Sequence, residues 1–223
     1  MESVVKIDDD LPLDRACLVG CAVSTGWGSA VNSAAVQPGD TVIVMGLGGI
    51  GVSAVQGAAH AGAADIIAVD PVPFKREMAP VFGATRTAAS IEEAAELARE
   101  TTNGQGADSA IVTVGVLRPE HPGQALAAVR KAGTVVVTAI APHDAPGAPV
   151  LLPDLTLSQK RLQGSLFGAT NGNWDVRRLL NLYRTGQLKL DEMVTRTYKL
   201  DEITLGYEDL NAGRNIRGVV LHD

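Results

Sequence analysis

The segment Gly46-Leu47-Gly48-Gly49-Ile50-Gly51 constrains this chain more than any other feature. It is a G-x-G-x-x-G pattern that follows the apolar run Val42–Val44, opens a stretch of small residues with helical character, and is followed by Asp70 19 residues beyond Gly51. In that setting each residue has a physical task. Gly46 makes a tight turn, Gly48 lets backbone amides approach a pyrophosphate, and Gly51 lets the helix pack close to the strand. The start of the helix adds partial positive charge, which favours phosphate. Asp70, at the end of the next strand, accepts hydrogen bonds from ribose hydroxyls and repels a 2′-phosphate, so the pattern favours NAD over NADP. A glycine-rich turn alone is weak evidence; the strand before it, the helix after it and the acid beyond it give it weight.

The rest of the chain repeats the same unit. Apolar runs at Thr41–Met45, Asp65–Asp70, Asp108–Val114 and Gly133–Ile140 lack period-two alternation and read as strands buried on both faces. Gly49–Gly62, Pro73–Phe82, Ser90–Glu100 and Pro119–Lys131 read as the intervening helices, with short strands at Thr85–Ala88 and Arg161–Phe167. Alternation of this kind predicts an α/β fold with a doubly wound, six-stranded parallel sheet of the Rossmann type. Pro38-Gly39-Asp40 is the turn that launches the first strand.

The two ends differ from this middle. Leu13–Cys21 and Ser24–Val36 read as helical, and Trp174–Thr185 as a further helix. The tail gives a strand (Val194–Tyr198), a helix (Asp201–Ala212) and a strand (Gly218–Leu221), whose strands have no evident partner in the predicted sheet. The Pro-rich connection Ala141–Pro153 offers a short edge strand at Val150–Leu151, and this edge is the expected surface for a homodimer.

Charge and composition exclude several functions. With 19 Lys+Arg against 25 Asp+Glu and no basic stripe, a nucleic-acid backbone is not an expected partner. No apolar run has the length of a membrane span, and the start MESVVKIDDDLPLDRA has neither the basic end nor the apolar stretch of a secretory signal. With only two cysteines, the expected location is the cytoplasm. A short-chain dehydrogenase needs a Tyr with a Lys four residues on; here Tyr183, Tyr198 and Tyr207 are followed at that spacing by Gln187, Glu202 and Asn211. A methyltransferase has an acidic residue before its glycine turn, where this chain has Val44-Met45.

Cys17 and Cys21 are four apart and would share one helix face. As a pair they read either as buried apolar cysteines or, at Cys21, as a metal ligand without a C-x-x-C or neighbouring His to support it. Lys75 reads equally as a ribose contact and as a solvated lysine at a helix start. His60, His121, His143 and His222 are scattered and read as surface or helix-face residues.

Gly20-Cys21-Ala22-Val23-Ser24-Thr25-Gly26-Trp27-Gly28 followed by Gly46–Gly51 closely resembles the medium-chain, zinc-dependent alcohol dehydrogenases. The resemblance extends through Asp70, Lys75, Gly104–Asp108, Gly164–Gly168 and Asn215-Ile216-Arg217. Phe74–Ala79 and Gln159-Lys160-Arg161 look most like the nitrosodimethylaniline-dependent, or nicotinoprotein, branch, whose members hold NAD(H) tightly. By this similarity Cys21 matches a catalytic-zinc ligand and Thr25 a residue that packs on the nicotinamide. Arg217 matches a pyrophosphate contact, while Val114, Ala139 and Phe167 match positions lining the nicotinamide and substrate cleft.

The resemblance implies that residues 36–192 are the NAD-binding domain, and that 1–35 and 193–223 are remnants of a catalytic domain. The other zinc ligands, the proton-relay hydroxyl and the structural-zinc lobe of the family have no counterpart here, so the chain is expected to be the cofactor-binding part and inactive alone. In the complete enzyme, Zn2+ would bind an alcohol oxygen and lower its pKa, and hydride would pass between the alcohol or aldehyde and the nicotinamide. Two alternatives stand beside this reading. One is a non-catalytic NAD-binding module. The other is a zinc-independent, quinone-reductase-like relative, against which Cys21 and its flanking GCAVSTGWG speak.

Overall fold

The apolar runs of the sequence become the inner strands of a parallel sheet, and the small-residue stretches between them become the helices that cover it. The structure is a computed structural model and describes residues 4–222. The first three residues of the expected 1–35 segment and the last of 193–223 lie outside the described residues. Along the chain run α1 (Leu13–Ala16), α2 (Ala22–Gly28), β1 (Thr41–Met45), α3 (Gly49–His60), β2 (Asp65–Val69), α4 (Pro73–Met78), β3 (Arg86–Ala88), α5 (Ile91–Thr101) and β4 (Ala107–Val112). They are followed by α6 (Glu120–Ala128), β5 (Val129–Val137), α7 (Leu152–Leu157), β6 (Arg161–Gly164), α8 (Gly172–Arg184), β7 (Val194–Tyr198), α9 (Ile203–Asn211) and β8 (Arg217–Val220).

Strand order is β3-β2-β1-β4-β5-β6, all parallel, as the alternation predicts. Order therefore reverses between β1 and β4, which opens a crevice at their carboxyl ends. The core lies on both faces of the sheet. Val42 and Val44 point into a layer with Val52, Val55 and Leu179, while Ile43, Ile67 and Val135 point into one with Ala94, Ala98 and Leu126. α5 is capped by its own residues: Ser90 Oγ accepts from the Glu93 N–H at 3.3 Å, and Glu93 Oε2 accepts from the Ala89 N–H, one residue before the cap, at 2.7 Å.

Several local expectations are corrected. The helix expected over Pro119–Lys131 ends at Ala128, and the chain enters β5 at Val129 without a loop. A kink at Ala132 (φ 58°), beside Gly133, lets one segment serve as strand where an unbroken helix was expected. Val150–Leu151 forms no strand; Pro153 sits in the first turn of α7 instead, and the sheet edge on that side is β6. β6 itself is shorter than the expected Arg161–Phe167, because Phe167-Gly168-Ala169 turns with positive φ throughout. The helix expected over Ser24–Val36 is α2 followed by a π-helical turn at Ser29–Ser33. Val194–Tyr198 and Gly218–Leu221 do stand outside the six-stranded sheet, as expected, and β7 and β8 pair with each other in parallel as a separate two-stranded sheet. No helix of the described residues is long and apolar enough to cross a membrane.

Candidate functional site: the glycine turn between β1 and α3

The three glycines of the motif are constrained differently. Gly46 has φ +98°, and a Cβ there would lie 2.8 Å from the Val114 N, so both backbone and space require glycine. At Gly51 an added Cβ would overlap the Gly46 carbonyl and stand 2.9 Å from Thr113 Oγ1, which itself donates to the Gly46 carbonyl at 2.7 Å. Gly48 is different. Its φ and ψ are −77° and −170°, extended values open to any residue, and an added Cβ would meet nothing within 4 Å. Fold and packing leave its side-chain space empty.

That space lies at the start of a helix of 12 residues whose first turn receives no side-chain cap. Its first intrahelical bond runs from the Val52 N–H to the Gly48 carbonyl, so the amides of the first turn point outward at the end of the helix dipole. Arg217, the first residue of β8, reaches across to this turn: a Cβ on Gly49 would overlap its Cδ and lie 2.8 Å from its Nε. The guanidinium stem thus lies against the opening of α3.

Asp70 follows β2 and is buried, with 5% of its surface exposed. Its Oδ2 accepts the Leu47 N–H at 2.8 Å, and its Oδ1 accepts the Val72 N–H at 2.9 Å. Lys75 Nζ lies 3.9 Å from Oδ2, so the lysine is half-buried beside the acid rather than wholly solvated. Asp70 therefore shapes the glycine turn from the carboxyl end of β2. Val114 is half-buried next to Gly46, and Ile50 offers its carbonyl toward Gly26 of α2.

A second group of expected residues gathers along α2. Thr25 is buried, and its carbonyl accepts from Ser29 Oγ at 2.7 Å. A Cβ on Gly168 would lie 2.5 Å from that same carbonyl, which brings the turn containing Phe167 onto α2. Phe167 itself is half exposed, with φ +50°. Ala139 is half-buried and continues from β5, its N–H donating to the Val112 carbonyl at 3.1 Å.

Sequence reasoning missed what joins these pieces. Ser29 Oγ is 2.8 Å from Thr138 Oγ1 and 3.3 Å from Ser165 Oγ, and Ser33 Oγ is 2.8 Å from Ser165 Oγ. This buried hydroxyl chain ties the π-helical turn to the ends of β5 and β6. Its only trace in the sequence is a serine pair four residues apart.

The cysteines are placed otherwise than expected. Cys21 breaks the helix with φ −146° and ψ −77°, so it does not share a continuous helix face with Cys17, and both thiols are exposed rather than buried. Although Cys17 is exposed, partial desolvation of its thiol pushes it above its ordinary pKa, and Asp14 adds to the rise while Arg217 opposes it. Among the described residues no group of three or more His, Cys, Asp or Glu side chains is placed to hold a metal ion. Cys21 alone does not fit a zinc site, which needs three protein ligands or more.

Comparison with known proteins agrees with the resemblance read from the motifs. A family model described as zinc-binding dehydrogenase matches residues 49–183. The chain is 51% identical over 220 residues to the NDMA-dependent alcohol dehydrogenase of Amycolatopsis methanolica, covering 99% of this chain and 59% of that protein. It is 47% identical to alcohol dehydrogenase B of Mycobacterium tuberculosis, covering 98% of this chain and 58% of that one. Among solved structures, benzyl alcohol dehydrogenase from Acinetobacter calcoaceticus superposes with a TM-score of 0.89 at 29% identity, over 97% of this chain and 59% of that one. The chain thus spans about three fifths of the length of the relatives it matches.

Proposed function

The chain belongs to the zinc-binding dehydrogenase family, and from that premise we propose that it is the NAD(H)-binding part of an alcohol dehydrogenase acting on a small alcohol or aldehyde. The observation that carries the reading is Gly48. Gly46 and Gly51 answer to the fold, whereas Gly48 keeps an open space at the uncapped start of α3, beside a cation, where a phosphate fits. A dinucleotide is the ligand class that uses such a cradle together with an acid after β2.

In this reading the amides at the start of α3 and Arg217 bind the pyrophosphate. Asp70 accepts from the adenosine ribose while holding the Leu47 amide, and Lys75 contacts the same ribose. Thr25, Val114, Ala139 and Phe167 orient the nicotinamide end and keep water from it. The nicotinamide, when bound, supplies the hydride-accepting chemistry. Residues 36–192 form the cofactor domain, and the ends belong to the catalytic domain. Cys21 would serve zinc only with ligands that the described residues do not provide. The names of the relatives, alcohol dehydrogenases, weigh against the quinone-reductase alternative.

The homodimer forms at the free edge of β6, which replaces Val150–Leu151 as the pairing segment. Two free thiols are in keeping with a reducing compartment, the cytoplasm.

Calorimetric titration of NAD and NADP into the wild-type chain and Asp70→Ala tests the assignment. Asp70→Ala should weaken NAD by about 1–3 kcal/mol, as for a lost charge-assisted hydrogen bond, with NADP gaining relative to NAD. An unchanged ratio of the two affinities would contradict it. A non-catalytic module would bind NAD equally well, and would stay inactive when supplied with the rest of a relative's catalytic domain.

A further inference from the structure

The buried residue of α9 is an acid. Asp209 has 1% of its surface exposed, while Ile203, Leu205, Tyr207 and Leu210 on the same helix lie open. Its carboxylate is enclosed by donors from three places. Arg214 Nε reaches Oδ1 at 2.6 Å, and Arg196 Nη1 and the Tyr198 hydroxyl reach Oδ2 at 2.8 and 2.7 Å. The Asp209 carbonyl also accepts the Arg214 N–H at 2.9 Å, and Asn215 Nδ2 donates to the Tyr198 hydroxyl at 3.2 Å. The hydrogen bonds from Tyr198 and Arg214 hold the carboxyl below the usual carboxylate range.

Through Asp209 the loop 212–216, which leads from α9 into β8 and carries Arg214 and Asn215, is tied to Arg196 and Tyr198 of β7. The loop touches both sides of the proposed cofactor cradle. A Cβ on Gly213 (φ +67°) would lie 3.1 Å from Val72 and 3.7 Å from Lys75 Cε, next to Asp70. At its far end the Ile216 N–H donates to Thr195 Oγ1 at 2.9 Å and the Arg217 N–H to the Met193 carbonyl at 3.0 Å. Met193 is buried against α3, its sulfur 3.9 Å from both Ser53 Oγ and Gln56 Nε2. Met193 therefore fixes where β8 begins, and Asp209 fixes the path by which the chain arrives there.

We propose that Asp209 is a positioning residue for dinucleotide binding: by gathering Arg214, Arg196 and Tyr198 it sets the 212–216 loop so that Arg217 lies across the first turn of α3. The proposal rests on the cofactor reading above. Asp209 does not touch the ligand and acts through Arg217. A carboxylate is suited to this because it accepts from two guanidinium groups and a hydroxyl at once, which an amide in its place cannot do.

The test is a double-mutant cycle read by NADH fluorescence titration on the full chain. Asp209→Asn should weaken NADH binding about five- to tenfold, and Arg217→Ala at least as much, by loss of charge-assisted hydrogen bonds. The double variant should bind no more weakly than Arg217→Ala alone, because the first effect passes through the second residue. Wild-type affinity in Asp209→Asn, or losses that multiply in the double variant, would overturn the proposal. If Asp209→Asn does not unfold cooperatively, Tyr198→Phe takes its place in the cycle, with a loss of about two- to threefold that vanishes in the Arg217→Ala background. Wild-type affinity in Tyr198→Phe would likewise overturn it. A wild-type chain that fails to bind NADH would remove the cofactor reading itself, an outcome visible before any variant is made.

Discussion

The six-stranded sheet and the two-stranded sheet of this chain are held by different forces. In β1 every residue is buried, and Ile43, Ile67 and Ile111 on adjacent strands are fully enclosed. In β7 and β8 most residues are partly or wholly exposed, and beside the apolar anchors Met193 and Ile216 that precede them the buried groups are polar: Asp209, Asn215 and the Tyr198 ring with its hydroxyl. The first region owes its shape to apolar area removed from water, which tolerates no change of volume. The second is anchored to that core at Met193 and Ile216, and beyond them it owes its shape to directed hydrogen bonds, which fix position while contributing little net stability. The proposed site lies where they meet, with the glycine turn from the first region and Arg217 from the second.

Substitutions in the large sheet should have the greatest effect. Ile43→Ala and Ile67→Ala should each destabilise the chain by about 3–4 kcal/mol, the cost of a buried aliphatic side chain and the cavity it leaves, measured by urea unfolding. A loss below about 1 kcal/mol for either would mean that this sheet is not the stability core.

The rim of the large sheet sharpens the comparison at an intermediate scale. Asp65, at the start of β2, pairs with Arg86 and accepts from Thr85 Oγ1 at 2.5 Å. Burial raises the pKa of its carboxyl, but the hydrogen bonds from Arg86 and Thr85 outweigh this and hold it below the usual value. The stability it contributes is therefore present above the unfolded carboxylate pKa of about 4 and is lost as pH falls through the lower folded value. Asp65→Asn should cost about 1–2 kcal/mol at neutral pH and flatten the acid limb of the stability profile. An acid limb identical to wild type would remove Asp65 from the account.

The smallest effect belongs to the outer face of the return segment. Leu205 lies 44% exposed on α9, and Leu205→Ala should change stability by less than about 0.5 kcal/mol. A larger loss would show that this face is covered in solution and that the contrast between the two regions belongs to the isolated chain alone.

Legibility in the sequence follows the same division. The inner strands were readable because burial on both faces leaves continuous Val, Ile and Ala runs, and the glycine turn because its spacing is tied to a strand, a helix and an acid. The passage from α6 into β5 was not, since the bend at Ala132 depends on how Gly133 packs against Asp108 and Arg130, which are distant from it or ordinary in sequence. Val150–Leu151 has strand-like side chains, but α7 begins at Leu152 with Pro153 in its first turn. Asp209 was invisible for a plainer reason. An acid among polar residues near a helix end reads as solvated, and only the convergence of Arg196, Tyr198 and Arg214 makes it a buried centre. Likewise Arg217 entered through the family resemblance alone, and its place over Gly49 comes from three-dimensional packing.

The central claim is that the space kept open by Gly48 is where a dinucleotide phosphate sits, and Gly48→Val tests it most directly. Because a Cβ at this position meets nothing within 4 Å and the backbone there suits any residue, the variant should unfold at the wild-type urea midpoint. NADH titration of that folded variant should show binding weakened by at least about a hundredfold, since the added side chain fills the phosphate space and screens the first-turn amides of α3. Wild-type NADH affinity in folded Gly48→Val would contradict the account.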